Sequence, residues 1–266
     1  MNACPGNSIR PNRPDDIVFD GGIYESQFPT DLDHPQPDVP FWLDLAKRFG
    51  PRVLELACGT GRVTIPLFES GIKIDGVDFS ESMLRIARER ADSRLLPVKF
   101  IYGDIRRLTF QDQYDFMFLP SRTISHLITR TDLESFLAGV RQALRRDGVF
   151  ALDVHNPTAT WLNPWPFPER QKRSTFVHRE TGQTIAVISS LEYSAETQLL
   201  SIRNCYDFPD GSTKEETIAL KLYFPVELRA LLHYNGFDVL QVIGGFDGNE
   251  ITPSSSVYVI IAKPRP

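Results

Sequence analysis

The sequence predicts an α/β fold built on a mostly parallel sheet, and three observations carry that prediction. Val53-Leu54-Glu55-Leu56 is a short β-favouring run that turns through Gly59-Thr60-Gly61 into a segment, from Val63, with helical character. The apolar runs Ile72–Asp78, Val98–Tyr102, Tyr114–Pro120 and Gly148–Val154 follow, and the stretches between them carry helical patterns, as successive βαβ units do. Two of these runs lead into an acid, Asp78 and Asp104, at the carboxyl edge where open parallel sheets bind their ligands.

Composition bounds the answer. With 266 residues the chain fits one large α/β domain, or one domain with an insertion. Lys and Arg number 29 against 34 Asp and Glu, a net charge of −5, which argues against a broad nucleic-acid or anionic-membrane face. No apolar run approaches the ~20 residues of a membrane-spanning helix. Met1 to Pro14 lacks the apolar core of a secretory signal. The cysteines, Cys4, Cys58 and Cys205, are too few and scattered for a disulfide framework or a zinc site, so no metal is expected and the cytoplasm is the expected compartment. Cys58 has no basic neighbour to activate it and reads as a small packing residue.

In chain order, residues 1–20 are rich in Pro and Asn and read as a tail, and residues 1–38 together as tail and lid. Val39 to Phe49 carries apolar residues at helical spacing after Pro40, suited to a first turn. The turn through Gly59 and Gly61 would lay bare backbone N–H groups beside a ligand. About twenty residues on, Asp78 is placed to accept the hydroxyl protons of a ribose. Ser80 reads as the N-cap of a helix whose apolar face is Met83, Leu84, Ile86 and Ala87. Asp104 follows the third strand and can accept from an exocyclic amine. Thr131-Asp132-Leu133-Glu134 reads as a capping box for a helix through Ala143.

From Thr158 the pattern changes. The tract Trp161–Pro168 gives way to four β-rich runs, Ser174–His178, Thr184–Tyr193, Leu199–Phe208 and Thr213–Tyr223, separated by turn signals. They read as an antiparallel insertion capping the site. Its aromatics Trp161, Trp165, Phe167 and Phe176 lie beside Lys172, Arg173, His178 and Arg179, a set that could floor and rim an anionic acceptor but equally could bury the cap on the sheet. Pro225–Tyr234 is a last helix, ended by Asn235-Gly236, and Phe237–Ile243 and Ser256–Ala262 close the sheet.

The residue that a dinucleotide-binding G-x-G-x-x-G motif would require to be its third glycine is Thr64, and Glu55 puts an acid inside the strand. The block Glu55-Leu56-Ala57-Cys58-Gly59-Thr60-Gly61 closely resembles motif I of the class I S-adenosylmethionine (SAM) methyltransferases. Asp78-Phe79-Ser80 with Met83-Leu84 resembles their motif II, and Gly103-Asp104-Ile105 their motif III. The turn before the fifth strand departs mildly from the family pattern, with Asp147 in place of a glycine or proline.

The resemblance implies a Rossmann-like fold: a mostly parallel seven-stranded sheet, its final strand antiparallel, with the antiparallel β insertion as cap. It divides the chain into tail and lid (1–38), SAM-binding core (39–157), substrate-side cap (158–223) and the rest of the core sheet (224–266). It implies SAM as cofactor, held by Tyr24, Glu55, Ala57, Gly59, Gly61, Asp78, Phe79, Met83, Gly103, Asp104, Ile105 and Leu119. The layout is closest to the small-molecule branch that includes sugar and glycine-type N-methyltransferases. In that branch a tyrosine near Tyr24 closes over the ligand, and a histidine stands where His126 does. The expected reaction is in-line methyl transfer to N or O of a small molecule, with His126 as general base, Tyr24 and His155 as further catalytic candidates, and Asp153 able to orient either histidine. The expected partners are a small-molecule acceptor and at most a second copy of the chain, with no nucleic acid or membrane. An NAD(P)-dependent oxidoreductase and a non-catalytic SAM-binding subunit or sensor are the competing readings.

Overall fold

A computed structural model describes residues 21–34, 36–158, 162 and 171–265, with the side chains of 171–173 left aside. The tail assigned to residues 1–20 and the aromatics Trp161, Trp165 and Phe167 lie outside the described residues, as do the side chains of Lys172 and Arg173.

The chain opens with α1 (Gly21–Gln27) and α2 (Asp38–Phe49) and then alternates. The order is β1 (Val53–Leu56), α3 (Thr64–Glu69), β2 (Ile74–Asp78), α4 (Glu81–Ser93), β3 (Lys99–Tyr102), β4 (Tyr114–Leu119), α5 (Arg130–Ala143) and β5 (Leu144–His155). Single 3-10 turns, Ile105–Arg107 and Thr123–His126, follow β3 and β4. After the inserted strands β6 (Gln171–Val177), β7 (Thr184–Ser194), β8 (Leu199–Asp207) and β9 (Thr213–Lys221), the chain closes with α6 (Pro225–Tyr234), β10 (Phe237–Ile243) and β11 (Val257–Pro264).

These strands form two sheets. The larger has seven strands in the order β10-β11-β5-β4-β1-β2-β3, and the smaller has four, β6-β7-β8-β9. Strands β1 to β5 pair parallel, and β11 runs antiparallel to both β5 and β10. Because β1 has β2 on one side and β4 on the other, strand order reverses there, and a crevice opens beyond the carboxyl ends of β1 and β4. The central strands are apolar on both faces because helices cover both: all four residues of β1 are buried, Glu55 included. On one face Trp42 of α2, fully buried, stacks on Phe118 with centroids 5.0 Å apart, and Phe118 stacks in turn on Phe116. On the other face Phe136 and Val140 of α5 pack with Leu228 and Leu232 of α6.

Local signals place the helices. Ser80 caps α4, and Glu227 of α6 accepts from the Phe224 N–H at 3.2 Å. Helix α5 is capped two residues earlier than the sequence suggests: Thr129, not Thr131, accepts from Asp132 N at 3.1 Å and donates to its carboxylate at 2.6 Å. The fifth strand starts at Leu144 rather than Gly148, because Leu144 pairs with Tyr114 across a register shift. The segment around Tyr24 forms a helix that the sequence pattern did not announce. Its Ile23 packs into the cap against Ile185, Val187 and Tyr206, with Phe176 alongside.

Candidate functional site

The site grows from the turn that leaves β1. Ala57, Gly59 and Gly61 all have positive φ, at 53°, 55° and 80°, and Gly61 N donates to Cys58 O at 3.0 Å. A Cβ on Gly61 would stand 2.9 Å from Ile65 Cδ1, whereas one on Gly59 would meet nothing within 4 Å and would project into the cavity that Gly59 lines. Cys58 is the packing residue its surroundings suggest: its Sγ leaves no room for a side chain at Gly76, and burial pushes its thiol pKa up.

Asp78 ends β2 beside this turn. Its Oδ2 accepts from Gly59 N and its Oδ1 from Ser80 N, both at 2.8 Å, so the carboxylate is fixed by backbone with further lone pairs left over. Burial raises its pKa against those two donors and the Phe79 N–H. Glu55 lies deeper. The Thr64 hydroxyl donates to its Oε2, and burial lifts its pKa to about 8. Asp104 is held in a different way, since Arg106 donates to it from Nε and from a terminal nitrogen, the latter at 2.6 Å. Burial would raise the Asp104 carboxyl, but Arg106 outweighs it and leaves the pKa lowered.

These groups surround a cavity of about 570 Å³. Of the sequence-predicted residues, Tyr24, Glu55, Ala57, Gly59 and Asp78 line it. So do Phe79, Met83, Asp104, Ile105 and His126. Gly61, Gly103, Leu119 and His155 are not among its lining residues. Gly61 shapes the turn from behind, Gly103 donates its N–H to Asp78 O at 2.9 Å, and Leu119 is fully buried in the core. His155 is the last residue of β5, one strand repeat beyond Asp153. Burial lowers the pKa of both histidines to about 4, with the Arg122 charge adding to the effect at His155. Both are neutral at pH 7.

Of the further lining groups, Asp153 is expected from the sequence only to orient a histidine, and Arg62, Ser121 and Arg122 carry no signal strong enough to be singled out. Arg62, directly after the glycines, forks onto Asp38 at 2.7 and 2.8 Å and reaches Ser121 Oγ at 2.9 Å, tying the turn to the start of α2 and the end of β4. Ser121 and Arg122 are consecutive non-glycine residues with φ of 63° and 58°, the kind of strain that collects at functional loops. Asp153, 1% exposed, accepts from Arg122 N at 3.2 Å, and burial raises its pKa to about 6. Tyr24 reaches the cavity because its neighbour Glu25 anchors α1. Arg90 forks onto the Glu25 carboxylate, which also accepts the Thr60 and Thr30 hydroxyls. Only the fold brings Glu25, Thr60 and Arg90 together.

The donor set fits an amino-acid-bearing nucleoside. The carboxylates of Asp78 and Asp104 offer hydrogen-bond acceptors to the cavity, Phe79, Met83 and Ile105 offer it apolar surface, and Gly59 leaves the space beside the turn open. Among the described residues no group of His, Cys, Asp or Glu is gathered to hold a metal ion. No helix among them is long and apolar enough to cross a membrane.

Residues 53–148 match the family described as "Methyltransferase domain". The Bacillus subtilis protein YqeM is 33% identical over 116 residues, which are 43% of this chain and 47% of YqeM, so the chain spans about half the length of that relative. A glycine/sarcosine N-methyltransferase of Aphanothece halophytica is 27% identical over 229 residues, 84% of this chain and 80% of that one. Among solved structures, the CcbJ methyltransferase from Streptomyces caelestis superposes with a TM-score of 0.73 at 22% identity, covering 91% of this chain and 95% of that one, and so shares its fold.

Proposed function

We propose that the chain is a class I SAM-dependent methyltransferase that transfers a methyl group from SAM to nitrogen or oxygen of a small-molecule acceptor. The observation that carries the reading is the joint placement of Gly59, Asp78 and Asp104 around one cavity at the point where strand order reverses. A long N-methyltransferase match, the glycine/sarcosine enzyme of Aphanothece halophytica, favours nitrogen as the attacked atom.

When bound, SAM supplies an electrophilic methyl group on a sulfonium. The chain's own residues then have distinct tasks. Asp78, its carboxylate pinned by Gly59 and Ser80, would accept hydrogen bonds from the ribose hydroxyls. Asp104 accepts from the base, its orientation set by Arg106. The α1 helix brings Tyr24 over the cavity and screens it from water, and Phe28 supports the Tyr24 ring at 5.4 Å. His126, neutral and in the wall, is the proton acceptor proposed for an acceptor nucleophile that must shed a proton. Excluding water and aligning the reactants is worth up to roughly 7–11 kcal/mol in such displacements. The division into lid, core, cap and closing strands is proposed with this function, the cap covering the acceptor side.

Incubating the protein with methyl-labelled SAM and a metabolite extract tests the reading. Label in a small molecule is expected. Tight SAM binding with no label transferred would leave the sensor reading, and titration that shows NADH rather than SAM binding would leave the oxidoreductase reading.

A further inference from the structure

The cavity has a second end that the donor-binding residues do not account for. Asp78 is on β2 and Asp153 on β5, three places apart in the sheet, or about 14 Å at the usual strand spacing. Around Asp153 the wall comprises Ser121 and Arg122 after β4, the Arg62–Asp38 pair and His126. Most polar groups there already have partners within the fold: Arg62 serves Asp38 and Ser121, and the Arg122 N–H serves Asp153 Oδ1. Asp153 Oδ2 is different. It is buried, it belongs to a residue lining the cavity, and it has no hydrogen-bond partner among the described residues.

A buried carboxylate oxygen left without a donor is costly, so such an atom in a cavity wall marks where a ligand's donor belongs. An ionised carboxylate only accepts, which excludes an acceptor that presents its own carboxylate or phosphate at this spot. The Arg62 guanidinium in the same wall is paired with Asp38, and although the Arg122 and Arg62 charges both favour the ionised Asp153, neither hydrogen-bonds its Oδ2.

We propose that Asp153 is the acceptor-binding residue, its Oδ2 receiving an N–H of a protonated amine on the methyl acceptor, so that the protein selects amine-bearing small molecules over alcohols of the same shape, whose O–H offers the hydrogen bond without the charge. This rests on the reading that the donor occupies the Gly59–Asp104 end of the cavity. The unexplained strain at Ser121 and Arg122 then has a use, because the left-handed backbone turns the Arg122 N–H onto Oδ1 and leaves Oδ2 to the acceptor.

The test uses the full chain saturated with S-adenosylhomocysteine and two shape-matched probes, cyclohexylamine and cyclohexanol, titrated by ligand-observed NMR at pH 7.5. The wild-type protein should bind the amine at least tenfold more tightly than the alcohol. Asp153→Asn should lose that preference at least tenfold while binding S-adenosylhomocysteine as before. A wild-type protein that binds the alcohol as well as the amine overturns the proposal, and this arm needs no variant. An Asp153→Asn protein that keeps the preference also overturns it, as does one that loses S-adenosylhomocysteine instead, which would make Asp153 a donor ligand. Should Asp153→Asn fail to fold, Asp153→Ser removes the same charge and is read identically. Failure of the wild-type protein to bind S-adenosylhomocysteine at all would sink the donor reading itself, a distinct outcome visible before any probe is added.

Discussion

Thr64 occupies the position a dinucleotide fingerprint reserves for its third glycine, and its hydroxyl donates to the buried carboxylate of Glu55. The two departures from the dinucleotide pattern are therefore a single interaction. An acid inside a central strand requires a donor nearby, and a glycine at position 64 would provide no side-chain donor.

That pairing gives a pH prediction. The Glu55 carboxyl titrates near 4.5 when freely solvated and is raised by burial to about 8 in the fold. Between those values the folded protein keeps a proton that the unfolded chain releases, so stability falls as pH rises from about 4.5 to 8. Glu55→Gln leaves an oxygen to accept from Thr64 and has nothing to ionise. Its melting temperature should be nearly flat over the upper part of that window and should exceed the wild-type value at pH 8.5. Thermal scans at pH 6, 7.5 and 8.5 check this, and a variant curve parallel to the wild type would contradict it.

The anchor of α1 gives a second. Glu25 and Arg90 form an ion pair at 2.5 Å with side-chain exposures of 2% and 14%. Arg90→Ala strands a buried carboxylate, a change that typically costs about 3–5 kcal/mol. The variant should show a clear fall in melting temperature and faster proteolysis between residues 27 and 36. Because α1 carries Tyr24 into the cavity, SAM affinity should fall as well, read by titration calorimetry.

Much of this site was legible in the sequence, and the reason is locality. Gly59, Asp78 and Asp104 each sit at the end of a short strand, so strand periodicity plus turn chemistry places them at one sheet edge without knowledge of the whole fold. The inserted strands β7, β8 and β9 were legible within a residue or two because alternation and turn signals are local. What stayed hidden depends on contacts far apart in sequence. Glu25 meets Arg90 65 residues away, and Arg122 meets Asp153 31 residues away, and neither spacing has a pattern. The helix at Gly21–Gln27 has no sequence pattern for the same reason: its apolar residue Ile23 finds its partners in the cap. Thr129 and Thr131 both offer a capping hydroxyl, and only the backbone geometry decides between them.

Asp78 supports a third prediction, on binding alone. Asp78→Asn keeps the shape but has one fewer acceptor oxygen, and its amide nitrogen would face the N–H of Gly59 or of Ser80. SAM affinity should fall at least tenfold, about 1.4 kcal/mol or more. Calorimetric titration checks it, and unchanged affinity would contradict the assignment of Asp78 to the ribose.

His126 separates two ways a histidine can serve. An imidazole with its ordinary pKa of ~6.5 gives a rate that rises through neutrality as it loses its proton. Burial holds His126 at about 4, so it is already deprotonated across the neutral range. The kcat profile should therefore show no inflection near ~6.5 from this residue, yet His126→Phe should lower kcat at every pH by the same factor. The same burial acts on stability with the opposite dependence to Glu55. Below the ordinary imidazole pKa of 6.5 the unfolded chain binds a proton that folded His126 refuses, so stability is lost as pH falls from 6.5 to about 4. His126→Phe should soften that acid loss, and the remaining slope should report His155, whose pKa is also lowered to about 4. A kcat inflection at ~6.5 that vanishes in His126→Phe would show that the imidazole titrates in the working protein as it does in water, and would overturn the buried, neutral acceptor.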